Sequence, residues 1–486
     1  MSGYRTRLLL ITALCSALGA AGGCDSDPEP MDGGLEDSGS DAATPLSCEV
    51  PAPVVAGTPE TDALANAPAR CGQAAHTWLR SEELGSLTSV DNGMRFTAAS
   101  LGSLAAAQDL VLPRPPDQSV QLRTIRYTTQ DRGALVESTA LVGVPLGATA
   151  GASQDVMLLL HGTTGFSQPC SPSASAEGQL LVALFASFGY LVVAPDYLGL
   201  ESGAEAFTEL HPYLVGQATA IASLDAVRAA LRMDSSDRSN TCARPRFVTF
   251  GASQGGHATL WVDRLAGYYA RELTHLGAVA TVPPADLFAQ VERGLTELVP
   301  VTSNSAAFYA TAPAWYGYEG RLDELFAAPL DTQVPMDLRV DCSPDSLDAA
   351  SSLDEVFQAS LLDAASGGTL GDLDPWGCIL RENSLPDTSV ARLDEDVPGY
   401  GVLYVTGSDD DLVHTPIERN AFADLCGAGL PTTYLECEGA GHVPATFYAL
   451  PEILRFIDAR MADTPFVAPT SCDATAAVRC EATPEE

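Results

Sequence analysis

Lysine is absent from all 486 residues; the 25 basic side chains are arginines, set against 63 acidic ones. The formal net charge of −38 leaves no basic face to neutralise phosphates, which excludes nucleic acid as a partner. The same charge repels anionic ligands at long range. No apolar run is long enough to cross a bilayer: the best, Leu8 to Leu18, is about half of the roughly 20 residues a spanning helix needs. No CxxC and no paired His/Cys spacing points to a zinc site. What the chain does have is 46% hydrophobic residues, too many for a disordered acidic protein. Its length suits one large domain with an insertion, or two domains.

Arg5 and Arg7 precede the Leu8–Leu18 run, and Ala20-Ala21-Gly22-Gly23 lead to Cys24. That order matches a secretory signal over residues 1–23. A cysteine directly after the small residues resembles the bacterial lipobox, in which it is acylated and becomes the new N-terminus. Ala21 stands where such boxes usually carry Leu, and an ordinary signal with a coincidental cysteine is the alternative. Residues 25–47 hold seven acidic side chains, no arginine and many Gly, Ser and Pro. Residues 24–47 therefore read as a solvated tether for an exported domain anchored to a membrane by a lipid on Cys24. Setting aside Cys15 and Cys24 leaves ten of the 12 cysteines, an even number that predicts disulfides in an exported chain. Proximity favours Cys426–Cys437 and Cys472–Cys480, although spacing does not determine connectivity.

From about residue 120 strands and helices alternate. Apolar, β-branched runs at Val120–Tyr127, Leu135–Val144, Val156–Leu160, Tyr190–Ala194, Phe247–Phe250, Gly277–Val282, Gly401–Val405 and Thr433–Cys437 read as strands. Amphipathic stretches fall at Leu180–Phe188, Gly216–Arg232, Gly256–Leu273, Ile417–Leu425 and Pro444–Met461. Apolar strands separated by helices predict an α/β fold with a mostly parallel sheet covered on both faces. The alternation breaks over 286–398, a segment too long for a loop, which reads as an inserted, largely helical cap or as a structural subdomain. The core would occupy 116–285 and 399–465, with an N-terminal extension at 48–115 and a tail at 466–486.

Phe247-Val-Thr-Phe-Gly251-Ala-Ser253-Gln-Gly255-Gly256-His257 contains G-x-S-x-G. The pattern alone is weak, since chance supplies about a quarter of one match at this Gly and Ser content. Gly151-Ala-Ser153-Gln-Asp155 is a near miss. Context separates them: Ser253 follows an apolar strand and opens an amphipathic helix, whereas Ser153 precedes a strand. A serine hydroxyl must be lifted clear of the sheet toward a base to act as a nucleophile, and a sharp strand-to-helix turn does so. The competing role for Ser253 is a helix N-cap.

Two later segments supply candidates for the base and its orienter, in the order Ser, Asp, His. Gly401-Val-Leu-Tyr-Val-Thr-Gly407-Ser-Asp409-Asp410-Asp411-Leu-Val413 is a strand ending in carboxylates, and Gly439-Ala-Gly441-His442-Val-Pro444 follows the last strand. His442 would take the Ser253 proton and return it to the leaving group. Asp410 is preferred as orienter because it fits G-x-x-D-x-x-V, with Asp411 and Asp409 as alternatives that otherwise read as solvated loop charges. His414, His257, His76 and His275 read as packed or surface side chains. The strand Asp155–Leu160 and its turn His161-Gly162-Thr163-Thr164-Gly165 would complete an oxyanion hole. There a backbone N–H of Thr163 or Thr164, preferably Thr164, would pair with that of Gln254.

With these residues placed, the chain resembles the secretory lipase family of cap-bearing α/β-hydrolases. The likeness rests on Cys170-Ser-Pro172-Ser173, on Tyr190-Leu-Val-Val-Ala-Pro-Asp196-Tyr-Leu-Gly199-Leu, on His211-Pro-Tyr-Leu214, and on Ala222-Ser-Leu-Asp225-Ala-Val-Arg228-Ala. Ser-Gln-Gly-Gly at 253–256 and the step from Asp410 to His442 agree as well. It covers roughly 110–285 and 396–460. Thr163-Thr164 departs from members with an acidic oxyanion residue. The resemblance implies hydrolysis of carboxylic esters or lipids through an acyl-enzyme on Ser253, without cofactor or metal. A serine peptidase or acyltransferase on the same fold, or an inactive surface-binding lipoprotein, are the alternatives.

Overall fold

The computed structural model describes residues 48–56, 71–73, 76–107, 110–202, 209–393 and 397–485. The signal, Cys24 and the tether lie outside them. Among the described residues nine strands form one sheet in the order β1-β2-β3-β5-β4-β6-β7-β8-β9. These are β1 (Leu87–Phe96), β2 (Val120–Asp131), β3 (Ala134–Pro145), β4 (Ser153–Leu160), β5 (Leu191–Pro195), β6 (Cys242–Ala252), β7 (Thr274–Thr281), β8 (Val402–Gly407) and β9 (Thr432–Cys437). From β5 to β9 every neighbouring pair is parallel, and β1, β2 and β3 add an antiparallel edge. The central strands are buried along their length because helices cover both faces, as in β5 and β8.

Four helices link the first part of the core: α1 (Ala98–Ala107), α2 (Ala176–Ala186), α3 (Gly216–Arg232) and α4 (Gln254–Tyr269). Between β7 and β8 the chain leaves the sheet and builds α5 (Leu287–Thr296), α6 (Val301–Trp315), α7 (Leu330–Val340), α8 (Ala359–Ser366) and α9 (Trp376–Glu382). These helices gather around Phe308, Tyr309, Phe326, Phe357 and Trp376, and they pack on Leu214, Val215 and Ala218 of the core. The chain then returns through β8, α10 (Thr415–Gly427), β9, α11 (His442–Tyr448) and α12 (Leu450–Met461).

Two sequence expectations change, and one unassigned segment gains a place in the fold. The extension at 48–115 contributes β1 and α1 to the fold. β1 gave little signal because it is an edge strand with a largely half-exposed or exposed surface. The Pro444–Met461 stretch is two helices, parted at Ala449. The disulfides are Cys426–Cys472 and Cys437–Cys480, in place of the neighbours in sequence. Cys437 belongs to the apolar cluster on one side of the sheet and Cys426 packs against the cluster on the other, so the two cannot approach bonding distance. The C-terminal tail passes along the β9 edge and reaches both. Cys48–Cys242, Cys71–Cys378 and Cys170–Cys342 complete five bridges. The last two join the helical insertion to the rest of the chain.

Candidate active site

Parallel strands place their C-terminal ends on one side of the sheet, where ligands bind in open α/β folds. The loops after β4, β6, β8 and β9 meet there. Ser253 forms the turn from β6 into α4 with φ 58° and ψ −121°, a left-handed conformation that costs a non-glycine residue about 1–3 kcal/mol. Its backbone N–H donates to the Thr281 carbonyl at 2.9 Å, and its carbonyl accepts from His257 N–H at 3.0 Å. The glycines around it answer to close packing. A Cβ at 251 would run into the carbonyl of Gly255, and one at 255 into the carbonyl of Leu160. The Ser253 hydroxyl makes no helix-capping bond.

Instead that hydroxyl lies 2.9 Å from His442 Nε2, and His442 Nδ1 lies 2.7 Å from Asp410 Oδ2. Asp410 can only accept, so Nδ1–H donates to the carboxylate, which leaves Nε2 facing the serine hydroxyl. Asp410 is buried, and its Oδ1 accepts the backbone N–H groups of Leu412 and Val413, each at 3.0 Å. Its neighbours point elsewhere. Asp411 is exposed and pairs with Arg293 of α5, while Asp409 takes a hydrogen bond from Ser408 Oγ at 2.8 Å.

The β4 turn runs beside the serine: a Cβ on Gly162 would sit 3.3 Å from the Ala252 carbonyl and 3.7 Å from Ser253 Cβ. Thr163 and Thr164 are exposed on that turn. Gln254 is the first residue of α4, where backbone N–H groups have no partner within the helix. A carbonyl oxygen approaching Ser253 would therefore meet the helix N-terminus on one side and the β4 turn on the other.

The remaining histidines are packed or peripheral. His257 is buried against Trp261, and burial pushes its imidazole down to about 4. His275 stacks on Phe247 at 4.5 Å, His76 meets Trp315 edge-on, and His414 borders the acid loop with a partly exposed ring. No group of His, Cys, Asp and Glu able to hold a metal occurs among the described residues.

Spacing could not reveal how α5 holds the acid loop. Gln290 accepts from His414 N–H at 3.1 Å and donates to its carbonyl at 3.3 Å; Arg293 donates to the Asp411 carbonyl at 2.9 Å. These contacts bracket the two N–H groups that hold Asp410. Glu418 supports Gln290 from below, accepting its side-chain N–H at 2.8 Å, the Tyr404 hydroxyl at 2.6 Å and Ala285 N–H at 3.1 Å. His414 and Glu418 lie more than 100 residues from Gln290 with no periodicity to link them.

A family model described as secretory lipase matches residues 168–298. Lipase 10 of Candida albicans is 24% identical over 315 residues, spanning 62% of this chain and 62% of that protein. The chain thus spans just under two thirds of that relative's length. An esterase from Xanthomonas oryzae, described as rice cell wall degrading, superposes with a TM-score of 0.61 at 19% identity, over 78% of this chain and 97% of the esterase. Candida antarctica lipase A in its closed state gives 0.59 at 18%, over 86% of this chain and 90% of the lipase. The fold is that of the α/β-hydrolases, and the likeness to the secretory lipases is found over residues 168–298.

Burial raises the Glu418 carboxyl from its ordinary value up to about 8. Between those values the unfolded chain releases this proton and the folded chain keeps it. The stability this group contributes is complete below its ordinary value and is lost as pH rises toward 8. Glu418→Gln removes that loss, so the Tm of the variant relative to wild type should climb between pH 5 and pH 8.5. A constant difference in thermal melts across that range would contradict the assignment.

Proposed function

We propose that this chain, a relative of the secretory lipases, is a carboxylic ester hydrolase working through an acyl-enzyme on Ser253. The observation that carries this reading is the continuous Ser253–His442–Asp410 hydrogen-bond chain at the end of the sheet. His442 Nε2 removes the hydroxyl proton as Ser253 Oγ attacks the ester carbonyl. The resulting oxyanion is held by the backbone N–H groups of Gln254 and Thr164. Collapse expels the alcohol, which takes the proton from His442. Water, deprotonated by the same nitrogen, then releases the acid. Asp410 keeps Nδ1 protonated and stabilises the imidazolium, without itself taking up the proton. Support for an apolar acyl group comes from Val443 and Phe447, which stand exposed on α11 directly after His442. The relatives' own descriptions, lipase and esterase, agree with ester chemistry. Neither a metal nor a cofactor is invoked in these steps. Five disulfides suit an exported protein, and the reading includes attachment to a bacterial membrane by a lipid on Cys24.

Ser253→Ala, Asp410→Asn and His442→Ala should each lower kcat on a short neutral ester by about 10⁴-fold or more, with little further loss on combination. Asp411→Asn should keep most of the rate. An active Asp410→Asn variant beside an inactive Asp411→Asn one would refute the assignment. For the anchor, intact-mass analysis of protein from the native membrane should give a chain that begins at an acylated Cys24, and Cys24→Ala should release it. Release that does not change in this variant rules the anchor out.

A further inference from the structure

One residue touches both sides of the proposed oxyanion site. His211 lies in the segment between β5 and α3, fully buried. Its backbone N–H donates to the Phe166 carbonyl at 2.8 Å, which ties it to the turn after β4. Its ring crosses to the other side: Nδ1 lies 2.7 Å from the Leu198 carbonyl and Nε2 lies 2.6 Å from Gln254 Nε2. A carbonyl can only accept, so Nδ1 carries the proton and Nε2 accepts from the Gln254 amide. Burial keeps this ring neutral, pushing its imidazole down to about 3. The ring is also walled in by Tyr197, whose ring lies parallel at 5.7 Å, and by Tyr213, edge-on at 6.3 Å.

Two residues further on, the Tyr213 hydroxyl lies 2.8 Å from Thr163 Oγ1 and accepts from Asn304 Nδ2 at 2.9 Å. Asn304 belongs to α6 of the insertion. The His211-Pro212-Tyr213 strap therefore grips Gln254 on α4, Phe166 at the end of the β4 turn, and Thr163 within it. The grip has a cost. With its amide nitrogen turned to His211, Gln254 leaves Oε1 buried without a hydrogen-bond partner among the described residues. An unsatisfied buried acceptor weakens a fold, and contacts made at such a cost are found at functional sites.

We propose that His211 and Tyr213 are positioning residues that set the separation of the two oxyanion donors, His211 through the side chain of Gln254 and Tyr213 through Thr163. The proposal rests on the serine-hydrolase reading above. Electrostatic stabilisation of an oxyanion depends on donors fixed in advance at the oxygen's final position. Loosening the strap should therefore weaken binding of the tetrahedral species and leave substrate binding nearly untouched.

The test uses His211→Asn, which keeps a donor for the Leu198 carbonyl but falls short of Gln254, and His211→Gln, which is long enough to reach it. Gln254→Leu and Tyr213→Phe cut the strap from its other ends. Each variant is assayed for Tm, for kcat and KM on a short neutral ester, and for affinity toward an alkylboronic acid. The serine oxygen adds to boron and its proton passes to His442, giving a tetrahedral adduct like the intermediate. His211→Asn and Gln254→Leu should lose about 10²-fold in kcat with KM little changed. Boronate affinity should fall by the same factor, and His211→Gln should regain much of both. Unchanged kcat in folded His211→Asn and Gln254→Leu overturns the proposal, as does a fall in kcat without a matching loss of boronate affinity. If His211→Asn does not fold, full kcat in Gln254→Leu and Tyr213→Phe overturns it. A wild-type protein that neither hydrolyses esters nor binds boronate overturns the serine-hydrolase reading itself; an active wild type with unaffected variants overturns the strap alone.

Discussion

The one-residue reversal from β6 into α4 is the constraint on which the rest of the site depends. Ser253 is held there at φ 58°, and glycines stand where the strand, the helix and the β4 turn come too close for side chains. This geometry does two things at once. It raises the hydroxyl above the sheet toward His442, and it turns the unpaired N–H groups of the helix terminus toward the same space. The strain is tolerated because backbone bonds to Thr281 and His257 pin the turn and because the strands beside it are buried in both directions. Parallel pairing then brings the loops after β4, β8 and β9 to the same edge, so the partners of Ser253 come from chain segments far apart in sequence.

Much of this was legible because burial on both faces leaves a simple mark. Strands such as Leu191–Pro195 and Val402–Gly407 are continuous apolar runs bounded by turn residues, and the helices between them carry their own periodicity. The spacing to Gly407 and Val413 singles out Asp410, and in the structure the loop returns the N–H of Val413 to its carboxylate. What stayed hidden lacked a periodic or local signature. β1 is an edge strand with mixed exposure. The pairing of Cys426, Cys437, Cys472 and Cys480 depends on which face of the sheet each occupies, so proximity misled. The contacts of Gln290 with His414 and of His211 with Gln254 join residues from different loops and helices. Only tertiary packing defines them.

The helical insertion contributes contacts to the site. Gln290 and Arg293 of α5 hold the acid loop, and Asn304 of α6 bonds to the Tyr213 hydroxyl. Cys170–Cys342 fixes the end of α7 to the segment that follows the β4 turn, and Cys71–Cys378 bolts α9 to the N-terminal extension. The insertion is thus joined covalently at two points and by hydrogen bonds at the acid loop. These restraints keep Ser253, His442, Asp410 and the β4 turn in register across segments with no sequence proximity.

The central claim is that Ser253 alone, among the serines of the chain, is a nucleophile activated by its neighbours. Treating the folded protein with a fluorophosphonate and measuring its intact mass tests this most directly. One adduct per chain is expected, mapped by peptide sequencing to Ser253, formed rapidly at neutral pH and abolished in His442→Ala. A fully folded protein that takes up no label, or that takes it up on another residue at the same rate when Ser253 is replaced by alanine, would contradict it.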